Sequence, residues 1–205
     1  GNIGLPFTEN GFANLSFEYG NTDPTDRSIQ RADAASLING GNTSVANPAQ
    51  VWGQPSIDND TKLIANIGLD LGNGNEFYTF GNYVEKEVEG GFYFRNPDTR
   101  GGVFSPDNGA TRLVGDLDPS NGIDDCPNIP VGDQAALDSV IANPECFVFN
   151  EMFPGGFTPK FGGKLTDIAG VVGVRGETSG GLYWDISGGL GRNEVDFFIR
   201  NTVNA

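Results

Sequence analysis

Apolar and polar positions alternate in three stretches of the chain. At 11–20 (GFANLSFEYG), Ala13, Leu15, Phe17 and Tyr19 fall on one side and Asn14, Ser16 and Glu18 on the other. The stretch 61–71 repeats the pattern, with Leu63, Ala65, Ile67, Leu69 and Leu71 set against Lys62, Asn66 and Asp70. A period of two sends successive side chains to opposite faces of a strand, so each stretch predicts a strand with one apolar face. Gly72-Asn73-Gly74-Asn75 follows, and an Asn-Gly pair supplies the positive φ angles of a tight hairpin turn. It predicts a return strand over 75–89, with Tyr78, Phe80, Val84 and Val88 as its apolar row and Glu85, Glu87 and Glu89 as the wet one. The third stretch, 166–177, sets Ile168, Gly170, Val172 and Val174 against Asp167, Arg175 and Glu177. After a turn at 178–181 the chain returns over 182–200 through Leu182, Trp184, Ile186 and Leu190, then Val195, Phe197 and Ile199.

These patterns predict an all-β antiparallel meander of about five or six strands. The turns at 72–75 and 178–181 are short, whereas the connections 21–60 and 91–165 run to about 40 and about 75 residues, far beyond ordinary loop lengths. A soluble sandwich with one wet face shares the alternation. The regular exchange of short and long connections favours a transmembrane β-barrel, which carries short turns on one rim and long loops on the other. Within the long connections, Ile29, Ala32, Ala35 and Leu37 have helical spacing over 26–40. Leu137, Val140 and Ile141 repeat it over 134–143, behind the natural N-cap Asp133 and before Pro144.

Composition narrows the function classes. The chain has 31 glycines and no histidine, which removes Ser/His/Asp and Cys/His catalytic units and His-ligated zinc. No enzyme activity is expected. Acidic residues outnumber basic ones 27 to 12, for a formal charge of −15, and no basic stripe exists to draw nucleic acid. There is no run of about 18 apolar residues, so no membrane-spanning helix is expected; β-strands escape that test.

Several strings resemble the barrel of TonB-dependent outer-membrane receptors: FEYGNTDPTDRSIQRADAA at 17–35, TKLIANIGLDLGNGNEFYTFGNYVEKEVEGGFYFRNP at 61–97, FNEMFPGGFTPKFGG at 149–163, and 167–205, which contains GRNEVDFFIRNTVN. The resemblance implies a large barrel occluded by a plug, with uptake of a scarce ligand (a siderophore, a vitamin or an oligosaccharide) on energy relayed by TonB. It places the protein in the outer membrane, with loops 21–60 and 91–165 outside the cell. Neither a plug nor a TonB-contacting segment is visible in these 205 residues, and a barrel so wide does not close from six strands. The chain then corresponds to part of such a receptor, with TonB and ligand engaged through other parts. A different expectation is an excised extracellular fragment whose open strand edges pair with other copies into a filament. A third is a secreted, calcium-stabilised carbohydrate-binding domain.

Three features of the long loops carry chemistry. Cys126 and Cys146 are the two cysteines, and in an exported chain they predict a disulfide that clips the 134–143 helix; a loop of this length gains roughly 3 kcal/mol in the chain-entropy model. Asp116, Asp118, Asn121, Asp124 and Asp125 cluster oxygen ligands of the kind Ca²⁺ takes, although the spacing departs from an EF-hand and no closing bidentate Glu follows. The plainer reading of the same cluster, and the one the spacing favours, is an acidic, turn-rich loop. The aromatics from Phe92 to Phe161 fit a ligand vestibule, a small loop core or an interfacial girdle.

Overall fold

The Asn-Gly hairpin forms as the sequence predicts. Gly72 pairs with Asn75, and Asn73 and Gly74 both take positive φ (55° and 73°), the geometry that matches strand twist. The computed structural model describes residues 1–122 and 125–203. In chain order its elements are β1 (Asn2–Pro6), β2 (Phe12–Thr22), α1 (Ala32–Asn39), β3 (Ser56–Gly72), β4 (Asn75–Gly91), β5 (Thr111–Arg112) and β6 (Gly115–Asp116). After a 3₁₀ turn at Pro119–Asn121 come β7 (Ile129–Pro130), α2 (Gln134–Ile141), β8 (Cys146–Phe147), α3 (Phe149–Met152), β9 (Lys160–Glu177) and β10 (Tyr183–Arg200). The chain is 49% strand and 11% helix, and so mostly β.

The chain divides into two compact units. The sheet unit holds Gly1–Pro24, Pro55–Glu89 and Gly162–Phe198; the loop unit holds Thr25–Gln54, Gly90–Phe161 and Ile199–Ala205. The sheet unit is one open, six-stranded antiparallel sheet in the order β1-β2-β3-β4-β9-β10. It does not close into a barrel, so β1 and β10 are edges. The turns at 7–11, 73–74 and 178–182 lie at one end of the strands. The chain leaves for the long connections after β2 and β4, at the ends remote from those turns.

Two details of the sheet differ from the alternation reading. The first is β1, which the pattern did not disclose: five residues containing Gly4 and Pro6, both poor strand formers, are held by pairing with β2. Pro6 is tolerated because β1 is an edge and no ladder donor is needed there. The second is the phase of β4. Phe80 pairs with Asn66 and Thr79 with Ile67. Tyr78, Phe80 and Val84 therefore share a face with Lys62 and Asn66, and the row continuous with Leu63–Leu71 is Phe77, Thr79, Gly81 and Tyr83. The register of the two-residue turn, continued, would set Tyr78, Phe80 and Val84 opposite Leu69, Ile67 and Leu63; a one-residue register shift between Asp70 and Gly72 turns them to the other face.

The core sits in the loop unit. Ala13 is the one buried apolar side chain of the sheet among the described residues; Val45, Phe94, Phe104, Val114, Leu137, Val148 and the others lie in the loop unit. There Val114, Ile129, Leu137, Val140 and Val148 pack around the two cysteines, and Ala34, Val45, Ala49 and Phe94 form a second cluster. Helix α2 starts where its cap predicts, the Asp133 carboxylate accepting from the Ala136 N–H at 2.9 Å. Helix α1 begins at Ala32, later than the spacing from Asp26 implies, because the preceding backbone bonds elsewhere. Thr25 N–H donates to Gln54 C=O and Arg27 N–H to Trp52 C=O, both at 3.1 Å, leaving Ile29 exposed.

Candidate functional site

The sheet presents two unlike faces, fixed by register. On one, polar side chains bond across strands: Glu18 to Lys62 at 2.6 Å, Glu76 to Arg175 at 2.7 Å, and Asn82 and Asn193 to the shared Asp167 carboxylate at 2.7 and 3.1 Å. The Tyr78 hydroxyl donates to Asp185 on β10 at 2.8 Å. Its ring crosses β9 over Gly173, where a Cβ would lie 2.5 Å from the ring, so a larger residue there would push the Tyr78 ring aside. Phe12, Ile64, Phe80 and Val84 are apolar exceptions on this face.

The other face carries an apolar belt. Its rows are Leu15 and Phe17 on β2, Leu63–Leu71 on β3, Phe77–Tyr83 on β4, Ile168–Val174 on β9 and Leu182–Leu190 leading into β10. All lie toward the end of the sheet that bears the short turns. Away from it the same face turns charged, with Glu85 paired to Lys164 at 3.2 Å and Arg192 to Glu194 at 2.6 Å. On β10 the apolar positions change parity there, from Ile186 and Leu190 to Val195 and Phe197. Tyr19 and Tyr83 stand at the charged border, bonded to Asn59 at 3.2 Å and Glu85 at 2.8 Å, while Trp184 stands near the turn end.

Belt height follows from strand geometry. Leu63 to Leu71, or Leu182 to Leu190, is about nine residues and ~27 Å along the strand, within reach of the 9–11 tilted residues that cross a bilayer. No layer of the sheet unit covers the belt: Leu63 is 45% exposed, Ile186 73% and Leu190 88%. Full burial of each such side chain contributes ~1.5–3 kcal/mol, so leaving the belt in water forgoes on the order of 10 kcal/mol, comparable to the whole stability of a domain.

In the loop unit the predicted disulfide between Cys126 and Cys146 is present, with Cα atoms 5.5 Å apart. Asp116 pairs with Cys146 across β6–β8, and oxygens of Asp116 and Asp125 come within 4.8 Å of each other and of Cys126 Sγ. That sulfur is committed to the disulfide, so the cation-ligating groups are the carboxylates alone. Asp118 lies beside them, its N–H donating to Asp116 at 2.8 Å. Asp124, and the side chain of Asn121, lie outside the described residues. The structure adds Glu145, which sequence proximity could not show; the disulfide sets it against Asp125. A hydrogen bond with Asp125, and the negative field of Asp125, Asp118 and Asp116, raise the Glu145 carboxyl above its ordinary range. The signal available in the sequence was that Asp125 and Glu145 each adjoin a cysteine.

The aromatic cluster divides. Phe94, Phe104 and Phe157 are buried, with the Phe157 ring tilted against those of Phe104 and Phe153 at centroid distances of 6.0 and 4.8 Å, and form a loop core. Tyr93 and Phe161 remain exposed. Asp107 ties its own loop: it accepts from the backbone N–H groups of Ala110 and Thr111 and from the hydroxyls of Ser105 and Thr111, and these bonds lower its pKa to about 2. No helix is long and apolar enough to cross a membrane among the described residues. No family model matches the chain, and no curated protein or solved structure matches it.

Proposed function

We propose that the sheet is a lipid-facing wall segment of an outer-membrane TonB-dependent receptor that takes up a scarce ligand, with the loop unit on the extracellular side. One observation carries this reading: an uncovered apolar belt about one bilayer deep, bounded by charged pairs and tyrosines, on strands whose opposite face is cross-linked by polar bonds. A soluble sheet buries such a face, whereas a bilayer solvates it and leaves the polar face toward the lumen. The open edges at β1 and β10 are where neighbouring barrel strands pair. TonB contact, plug occlusion and the energised step belong to other parts of the receptor, and no catalytic step is assigned to these residues.

The same open edges favour a second reading, self-assembly of the chain into an extracellular filament through non-closing strand pairing. Calcium on Asp116, Asp118 and Asp125 belongs to a third, a secreted carbohydrate-binding domain. Flotation of the purified chain with phospholipid vesicles, paired with electron microscopy in detergent-free buffer, separates the first two. Co-flotation with protection of β3 and β9 from protease supports the receptor. Regular filaments with no vesicle uptake overturn it in favour of the polymer.

A further inference from the structure

On its apolar face the sheet unit carries an open groove of about 710 Å³. Register builds it. Ile3 pairs with Leu15, Leu15 with Ala65 and Ala65 with Gly81, and Ile168 on β9 stands at the far end of this cross-strand row. Ala65 and Gly81 are its low points, and the next row toward the charged border, Phe17–Leu63–Tyr83, rises beside them as a ridge. Backbone packing keeps the recess open at Gly81, where a Cβ would lie 2.7 Å from the Ala169 carbonyl oxygen. Along the groove the side chains of this face are hydrocarbon apart from the Tyr83 hydroxyl, which is turned to Glu85 at 2.8 Å. Asn2, Ser16 and Asn82 border it from positions of the opposite parity, and their polar groups are committed, Asn2 to Ser16 at 2.6 Å and Asn82 to Asp167 at 2.7 Å.

The dimensions suit a single hydrocarbon chain. The ridges on either side of the Ala65–Gly81 row, Leu63–Tyr83 and Ile67–Thr79, are four residues apart, or ~13 Å between backbones. Their side chains leave too little clear width for a helix of ~10–12 Å diameter. From β1 to β9 the groove crosses four strand spacings of ~4.8 Å, or ~19 Å. Strands tilted by ~45° incline that path equally, so it descends ~14 Å, about the depth of one leaflet of a ~30 Å core. The Ile168 end opens on the charged border. Gly191 lies against Ile168 and Ala169, and Asn193 bonds to Asp167 at 3.1 Å, which sets Arg192 beside Ile168. There the ion pairs Arg192–Glu194 and Lys164–Glu85 offer both signs of charge, with the Arg192 side chain 70% exposed and that of Glu194 44%.

We infer that this groove holds one acyl chain of a phosphatidylethanolamine, with the headgroup phosphate on Arg192 and its ammonium on Glu194. The hydrocarbon recess continues the belt that faces lipid, and the two ion pairs at its mouth match a zwitterion charge for charge. A purely anionic headgroup would also meet Glu194 and Glu85, and a phosphocholine has no N–H to donate to either. The inference rests on the receptor reading and narrows its lipid contact to one species at one place.

The test is native mass spectrometry of the 205-residue chain, released in nonionic detergent from vesicles of equal parts phosphatidylethanolamine, phosphatidylcholine and phosphatidylglycerol. Retention of a single phosphatidylethanolamine, favoured about tenfold or more over either competitor, is the expected result. Ala65→Phe fills the floor and should abolish retention, whereas Leu71→Phe, elsewhere on the belt, should keep it; circular dichroism checks that each keeps the fold. Glu194→Gln should leave a lipid bound and erase the preference over phosphatidylcholine. No retained lipid, equal retention of the three headgroups by the parent chain, or retention indifferent to Ala65→Phe each overturns the inference. Vesicle entry without a retained lipid would remove the groove and keep the receptor wall. Binding of soluble dihexanoyl phosphatidylethanolamine, sensitive to Ala65→Phe, by a chain that stays out of vesicles would do the reverse.

Discussion

Ile186 lies midway along the apolar row from Leu182 to Leu190 and is 73% exposed in the isolated chain. Its replacement by arginine therefore has opposite consequences in the two solvents the sheet could face. In water, an exposed position with no close packing tolerates the change within about 0.5 kcal/mol. In a bilayer the side chain stands about four residues from either end of the belt, near the midplane, where arginine on a lipid-facing strand costs ~2–4 kcal/mol. At 1.4 kcal/mol per factor of ten, that is a loss of roughly 30- to 700-fold in the folded population. The assay is reversible urea unfolding in short-chain phosphatidylcholine vesicles, followed by Trp184 fluorescence in a Trp52→Phe background. Ser187→Arg, the next residue on the opposite face, is the control and is expected to cost little. An Ile186→Arg chain within 0.5 kcal/mol of its parent in vesicles, or a Ser187→Arg chain equally impaired, would refute the assignment of faces.

Other predictions concern the loop unit. Reducing the Cys126–Cys146 disulfide, or replacing both cysteines by serine, is expected to cost roughly 3 kcal/mol, seen as a lower thermal midpoint of that unit. Because the folded Asp107 carboxyl is depressed to about 2, below its unfolded value, its contribution is present above pH ~4 and fades as pH falls through about 2. The Ala110 and Thr111 amides should keep their hydrogen-exchange protection at pH 4 and lose it near pH 2, and Asp107→Ala should abolish it at both. Glu145 has the opposite sign. Its raised pKa makes protonation favour the folded loop, so protection around Leu117 and Glu145 should rise as pH falls from neutrality through its titration. Added calcium should raise the melting temperature at pH 7 by relieving the same repulsion, and Asp118→Ala should remove that rise; no calcium effect on the parent would dismiss the site.

Much of the sheet was legible because its strands obey one period and its hairpins use residues that specify their turns. Asn73-Gly74 marks the β3–β4 turn, the register shift beside it at Asp70–Gly72 has no such local signal, and Leu63–Leu71 declares which face of β3 is apolar. The phase of β4 was not legible locally. Tyr78 and Phe80 outweigh Phe77 and Gly81 in apolar count, and pairing with β3 places them on the polar face, where Tyr78 lies over Gly173 and reaches Asp185. Strand β1 was hidden because pairing with β2, rather than its own composition, makes it a strand. In the loop unit the cap at Asp133 marks α2, while the start of α1 depends on backbone bonds from 25–27 to 52–54 that no local pattern encodes. The candidate sites show the same division. Asp116 and Asp125 were visible as a run of acids, but Glu145 joins them through the disulfide.

The central claim, that one face of this sheet meets lipid, is tested most directly by spin labels placed singly at positions 182 to 190 of the vesicle-reconstituted chain. Collision rates with oxygen and with a water-soluble nickel chelate then report the solvent at each site. The structure predicts a period of two, with 184, 186, 188 and 190 accessible to oxygen and shielded from nickel, and 183, 185, 187 and 189 the reverse. Equal nickel accessibility along both rows would contradict it.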